Sequence, residues 1–77
     1  MNKIEKQIAM NIKSEILTSP KTKTQIAKEL GISKPTLSQY LSGRILPSLG
    51  TFAMLCKVLD CSADDILNVE QKQRLIV

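Results

Sequence analysis

Isoleucine recurs at every fourth position near the start of the chain, at Ile4, Ile8, Ile12 and Ile16, with Leu17 beside the last. Apolar residues at that interval form a stripe along a helix, so the spacing predicts a first helix over about residues 3–18. Ser19-Pro20 ends it, because a proline pushes the residue before it out of helical geometry. Thr22-Lys23-Thr24-Gln25 then has the form of a capping box, with the Thr22 hydroxyl accepting an orphan backbone N–H and Gln25 reaching back to the cap. A short second helix follows to Leu30, carrying Ile26, Ala27 and Leu30 on one face. Gly31 closes it, since glycine adopts the left-handed conformation without steric cost.

The pattern repeats with a second cap. Ser33 begins a third helix running to about Ser42, with Pro35 in its first turn, where the missing N–H does no harm. Leu37 and Leu41 are expected to point inward, and Gly43 ends the helix. The loop Arg44-Ile45-Leu46-Pro47 leads to Ser48, the cap of a fourth helix whose apolar side is Leu49, Phe52, Leu55, Cys56 and Leu59. Ser62 caps a last short helix, with Asp64 and Asp65 placed against its positive end. Ile66 and Leu67 are expected to close the core. The expected architecture is all-α: a compact bundle of five helices in one domain over residues 1–68, followed by a short tail over 69–77.

Composition narrows this reading without changing it. Seventy-seven residues leave room for one domain, which buries only about 60% of its unfolded surface. No apolar run approaches the roughly 20 residues needed to cross a bilayer. The first residues lack the basic start and apolar core of a signal peptide, so the expected location is the cytoplasm. The formal net charge is +4, and it is unevenly distributed. Residues 1–44 hold eight Lys/Arg against three acids, while residues 45–77 hold three against four. A basic half of this kind suits a polyanion, of which nucleic acid is the commonest.

The same inventory excludes other chemistry. There is no histidine, and Cys56 and Cys61 are the only cysteines. A closed zinc site would need two further suitable ligands, and both cysteines fall at apolar-periodic positions where a thiol fills space. No nucleophile–base pairing or glycine-rich phosphate loop is present. Neither a metal, a cofactor nor a catalytic role is expected.

The feature that carries function is the unit from Thr22 to Gly43: a capped short helix, a tight turn at Gly31 and a second capped helix. Such a unit holds its second helix at a steep angle, free to enter a groove about 12 Å wide. Lys34, Pro35, Ser38 and Gln39 fall on the outward side of the third helix. Lysine donates to guanine acceptors, glutamine pairs with adenine, and proline offers apolar contact to a thymine methyl. Ser33 and Thr36 add hydroxyls, Lys23 and Arg44 add charge, and the start of the second helix offers free N–H groups to phosphates.

The run Thr22-Lys23-Thr24-Gln25-Ile26-Ala27-Lys28-Glu29-Leu30-Gly31-Ile32-Ser33 resembles the start of the Cro and phage-repressor type helix-turn-helix domain, the XRE family. The resemblance continues through Leu37-Ser38-Gln39-Tyr40, Gly43, Pro47-Ser48-Leu49, Leu59 and Ser62–Leu67, and covers roughly residues 8–67. It implies a five-helix DNA-binding domain of the phage-repressor type. The third helix would be the recognition helix, and the protein a transcriptional regulator acting as a repressor. It implies base contacts from Lys34, Pro35, Ser38 and Gln39. Phosphate contacts would fall to Thr22, Lys23, Ser33, Thr36, Gly43 and Arg44, with Tyr40 divided between packing and the DNA backbone. The expected partner is double-stranded DNA, as a palindromic operator bound by a homodimer.

Five positions depart from the family pattern. Lys23 replaces a frequent glutamine, and Lys21 stands where an apolar residue is usual. Leu41 replaces a frequent glutamate, exchanging a polar tether for packing. Ala63 and Asp65 lie where some relatives carry bulky apolar dimer contacts, and Leu75, Ile76 and Val77 of the tail offer an alternative dimer surface. A second reading is an antitoxin-like module that binds a protein partner with the same fold. It would usually need an extension that folds on that partner, for which the tail offers little.

Overall fold

In the computed structural model, which describes residues 2–68, helices follow one another with no strand among the described residues: α1 (Lys3–Thr18), α2 (Lys23–Leu30), α3 (Lys34–Ser42), α4 (Leu49–Leu59) and α5 (Ala63–Leu67). The fold is all-α, and the five segments expected from the sequence are the five observed. The expected tail contacts through Leu75, Ile76 and Val77 lie outside the described residues.

Each helix begins on a polar side chain that accepts a backbone N–H three residues on: Asn2, Thr22, Ser33, Ser48 and Ser62. These caps satisfy donors that have no partner within their own helix. Two are reciprocal boxes, Asn2 with Glu5 and Ser62 with Asp65. Thr22 is not. Its hydroxyl accepts from Gln25 N–H at 3.1 Å, but the Gln25 amide donates to Glu29 Oε2 at 3.0 Å instead of returning to the cap. The box would have used the Gln25 side-chain carbonyl oxygen to accept the Thr22 N–H; the charge-assisted bond from its amide to the carboxylate turns the side chain along the helix instead.

Three helices end in a left-handed residue: Gly31 (φ 72°), Gly43 (φ 77°) and Asp60 (φ 55°). At each, the following N–H bonds back across the last turn, as in Ile32 to Ala27, Arg44 to Gln39 and Cys61 to Cys56. Asp60 reaches this conformation without glycine, which aspartate tolerates better than most residues.

The core is built by Ile12 and Ile16 from α1, Ile26 and Ala27 from α2, Leu37 and Tyr40 from α3, Leu55 from α4 and Ile66 from α5. Contacts run from α1 to α3 and α5, and from α2 to α3 and α4. The isoleucine stripe is only partly inside. Four residues turn a helix by about 400°, so each step of the stripe drifts by about 40°. Ile12 and Ile16 are buried, Ile8 is half-buried, and Ile4, drifted furthest, is 56% exposed. Leu17, about 100° beyond Ile16, is also exposed, and Ala9 takes the vacant inward position.

Other expected core positions also move outward. Leu49, at the first turn of α4, is exposed, and so is Leu67, leaving Ile66 to close the bundle alone. Leu41 is half-buried and Tyr40 is the fully packed residue at that end of α3. Cys56 and Cys61 are free, half-buried thiols against the core edge. Burial, with Cys56 beside it, pushes the Cys61 thiol up to about 11, so it stays protonated at neutral pH.

Two polar ties join the layers. Asn11 donates its amide to Ile66 O at 2.8 Å and to Asn68 O at 3.2 Å, holding α5 to α1. The Lys21 ammonium donates to Val58 O at 2.8 Å and to Glu29 Oε1 at 2.7 Å, holding the start of α2 to the end of α4. The usual apolar residue ahead of α2 is thus replaced by a cation that finds its own acceptors.

Candidate nucleic-acid interface

The relation of α3 to α2 is set by local chemistry. Gly31 turns the chain left-handed, Ile32 drops half-buried against the core, and Ser33 immediately starts the next helix. Leu37 and Tyr40 pin the inner side of α3, which fixes the direction of the outer side.

That outer side is the one anticipated. Lys34, Pro35, Ser38 and Gln39 are all exposed. At about 100° per residue they span an arc of roughly 140°, so the four side chains share one face. The face holds one cation, one apolar ring, one hydroxyl and one amide, and no carboxylate. Such a set can donate to guanine, pair with adenine and touch a thymine methyl.

Donors suited to phosphates are carried by the start of α2, the start of α3 and the residue after Gly43. Ser33 Oγ accepts from Thr36 N–H at 3.2 Å and shares a hydrogen bond of 2.9 Å with Thr36 Oγ1. Whichever hydroxyl donates in that pair, the other retains a free proton. Thr22 Oγ1 acts only as an acceptor to Gln25 N–H in the cap, so its own proton is also available. Lys23 is exposed at the first position of α2, where unpaired N–H groups and the helix dipole favour an anion. Arg44 is exposed just after the half-buried Gly43.

Tyr40 is the exception among the anticipated contacts. It is 6% exposed and belongs to the core cluster, so packing takes most of its surface. Leu41, expected inside, packs half-buried against the core and also borders the surface where α3 meets α1.

Sequence reasoning had no role for the Lys21–Glu29 pair, because its second acceptor, Val58 O, is 37 residues away. The pair steadies the start of α2, the same helix end that offers N–H groups to an anion. The Lys21 ammonium, followed by the Gln25 amide, holds the Glu29 carboxyl below the usual carboxylate range.

Comparison with known proteins agrees with this arrangement. A family model described as helix-turn-helix matches residues 21–66. Among solved structures, the chain is similar to the solution structure of the SOS-response transcriptional repressor LexA from Eubacterium rectale. The TM-score is 0.76 at 28% identity, over 99% of this chain and 79% of that one. No match is found among curated proteins.

Proposed function

Because the chain belongs to the helix-turn-helix family and is a DNA-binding regulator of transcription, we propose that it reads a specific operator by inserting α3 into the major groove. Lys34, Pro35, Ser38 and Gln39 contact base edges. Thr22, Lys23, Ser33, Thr36, Gly43 and Arg44 hold the phosphates on either side and fix the register. The observation that carries this reading is the exposed, acid-free face of α3, whose opposite side is fixed in the core by Leu37 and Tyr40. Tyr40 supports the face from behind.

Regulation is by repression. The protein occupies its operator as a homodimer and blocks access to it, in the cytoplasm that holds the DNA. The dimer is supported by a shallow apolar hollow lined by Ile8, Leu46, Leu49, Phe52 and Leu67, on a surface apart from α3. Asp65, where relatives carry apolar dimer contacts, is committed to the cap of α5. A twofold dimer requires half-sites about 10 base pairs apart, one helical turn.

The test is selection from a pool of randomised duplex DNA at physiological salt, followed by sequencing. Enrichment of an inverted repeat with half-sites one turn apart is expected. Enrichment of no sequence would remove the claim of specific operator reading.

A further inference from the structure

The last turn of α4 closes with two nested backbone bonds around the left-handed Asp60. Cys61 N–H donates to Cys56 O at 3.0 Å, and inside it Asp60 N–H donates to Lys57 O at 3.2 Å. In a helix ending of this kind the side chains of the outer two residues come together, commonly as an apolar contact. Here both are cysteines. Both thiols are free and half-buried against the core edge, and Cys56 is close enough to help push the Cys61 thiol up. The turn is also held from outside, because the Lys21 ammonium donates to Val58 O within it at 2.8 Å. No other cysteine in the chain competes for either thiol.

The surroundings decide what such a pair can become. After burial and Cys56, the carboxylates of Glu15 on α1 and Asp65 on α5 also push the Cys61 thiol up. Burial and negative neighbours both disfavour a thiolate. A soft metal would need both thiols as thiolates, whereas a disulfide carries no charge and escapes that cost.

We propose that Cys56 and Cys61 form an oxidation site, at which an uncharged small-molecule disulfide converts the pair into an intramolecular disulfide that fastens the end of α4. Cys61 stays protonated at neutral pH, so the first attack belongs to Cys56. The Cys56 thiolate attacks one sulfur of the oxidant, forming a mixed disulfide and releasing the other sulfur as a thiolate. That thiolate takes the Cys61 proton, and Cys61 Sγ attacks Cys56 Sγ and expels the second sulfur, which takes up the proton lost by Cys56. The two cysteines give up two electrons, and the oxidant leaves as two thiols. The closed loop spans only Cys56 to Cys61, so the gain depends on a native turn that already brings the two residues together. The outer face of α3 takes no part.

The test equilibrates the full chain with mixtures of reduced and oxidised dithiothreitol, once in native buffer and once in urea. After an acid quench, alkylation and mass spectrometry count the thiols. The expected product is a monomer lighter by two hydrogens. At a given mixture its ratio to the dithiol form should be about tenfold or more higher in native buffer than in urea. By the same linkage the oxidised chain should melt several degrees above the reduced one. Cys61→Ser should give no such product, and its own melt shows whether it folds.

A ratio in native buffer equal to or below that in urea would overturn the site, because the native turn would then not favour the bond. Disulfide-linked dimers as the main oxidised product would overturn it too. Neither readout involves DNA, so failure here leaves operator reading intact, and failure of operator reading leaves the cysteine pair standing.

Discussion

Lys23 and Lys34 are lysines at the first position of successive helices, yet they are assigned opposite tasks. Lys23 sits at the α2 N-terminus, outside the arc of α3, and serves the backbone; Lys34 belongs to the arc and serves bases. Lys23→Ala should therefore weaken binding to all duplexes alike and lower the salt slope by about one. Loss of a single base preference at constant slope would transfer Lys23 to base readout. Lys21 has a different task again. Its ammonium keeps the Glu29 carboxyl below its usual range, so the pair contributes stability above that range and loses it as pH falls through the folded-state value. Lys21→Met should raise the Glu29 titration, read by NMR, and flatten the acid side of the stability curve. An unmoved Glu29 titration would show that the ion pair does not form in solution.

At the scale of elements, the boundaries were largely legible from the sequence. Threonine and serine caps, Pro20, Gly31 and Gly43 act within a few residues, and α2, α3 and α4 run where those signals place them. The exposed face of α3 was legible for the same reason, since a short helix leaves little room for drift. Which apolar residues are buried was less legible. A four-residue repeat drifts around a helix, so Ile4 falls off the face that Ile12 and Ile16 occupy, and only the neighbours of α1 decide where the core lies. At the end of α4, Asp60 supplies the left-handed residue without the glycine that signals one at Gly31 and Gly43. Gly31 supplies a direct test of such endings. A Cβ there would meet nothing within 4 Å, so Gly31→Ala carries backbone strain alone. It should cost about 1–2 kcal/mol in denaturant unfolding. A neutral result would mean that the α2–α3 turn relaxes to another geometry.

Across the whole molecule, the interface depends on contacts distant in sequence. The Asn11 amide ties α1 to the end of α5, 55 residues away, and the Lys21 tie spans 37. Neither could be read from spacing, because long-range polar partners leave no local pattern. Asn11→Ala leaves the carbonyls of Ile66 and Asn68 without this donor and should cost about 1–2 kcal/mol of stability. An unchanged melting temperature would show that water replaces the amide at no cost.

The central claim is that the outer face of α3 reads bases, and Gln39→Ala tests it most directly. Gln39 is exposed, so its removal leaves the core untouched. Affinities of parent and variant would be measured against every single-base-pair change of the selected operator. The prediction is a loss of discrimination of about 1–3 kcal/mol confined to one position in each half-site, with the remaining preferences intact. A variant that retains the parent's preference at every base pair would contradict the assignment of α3 as the reading helix.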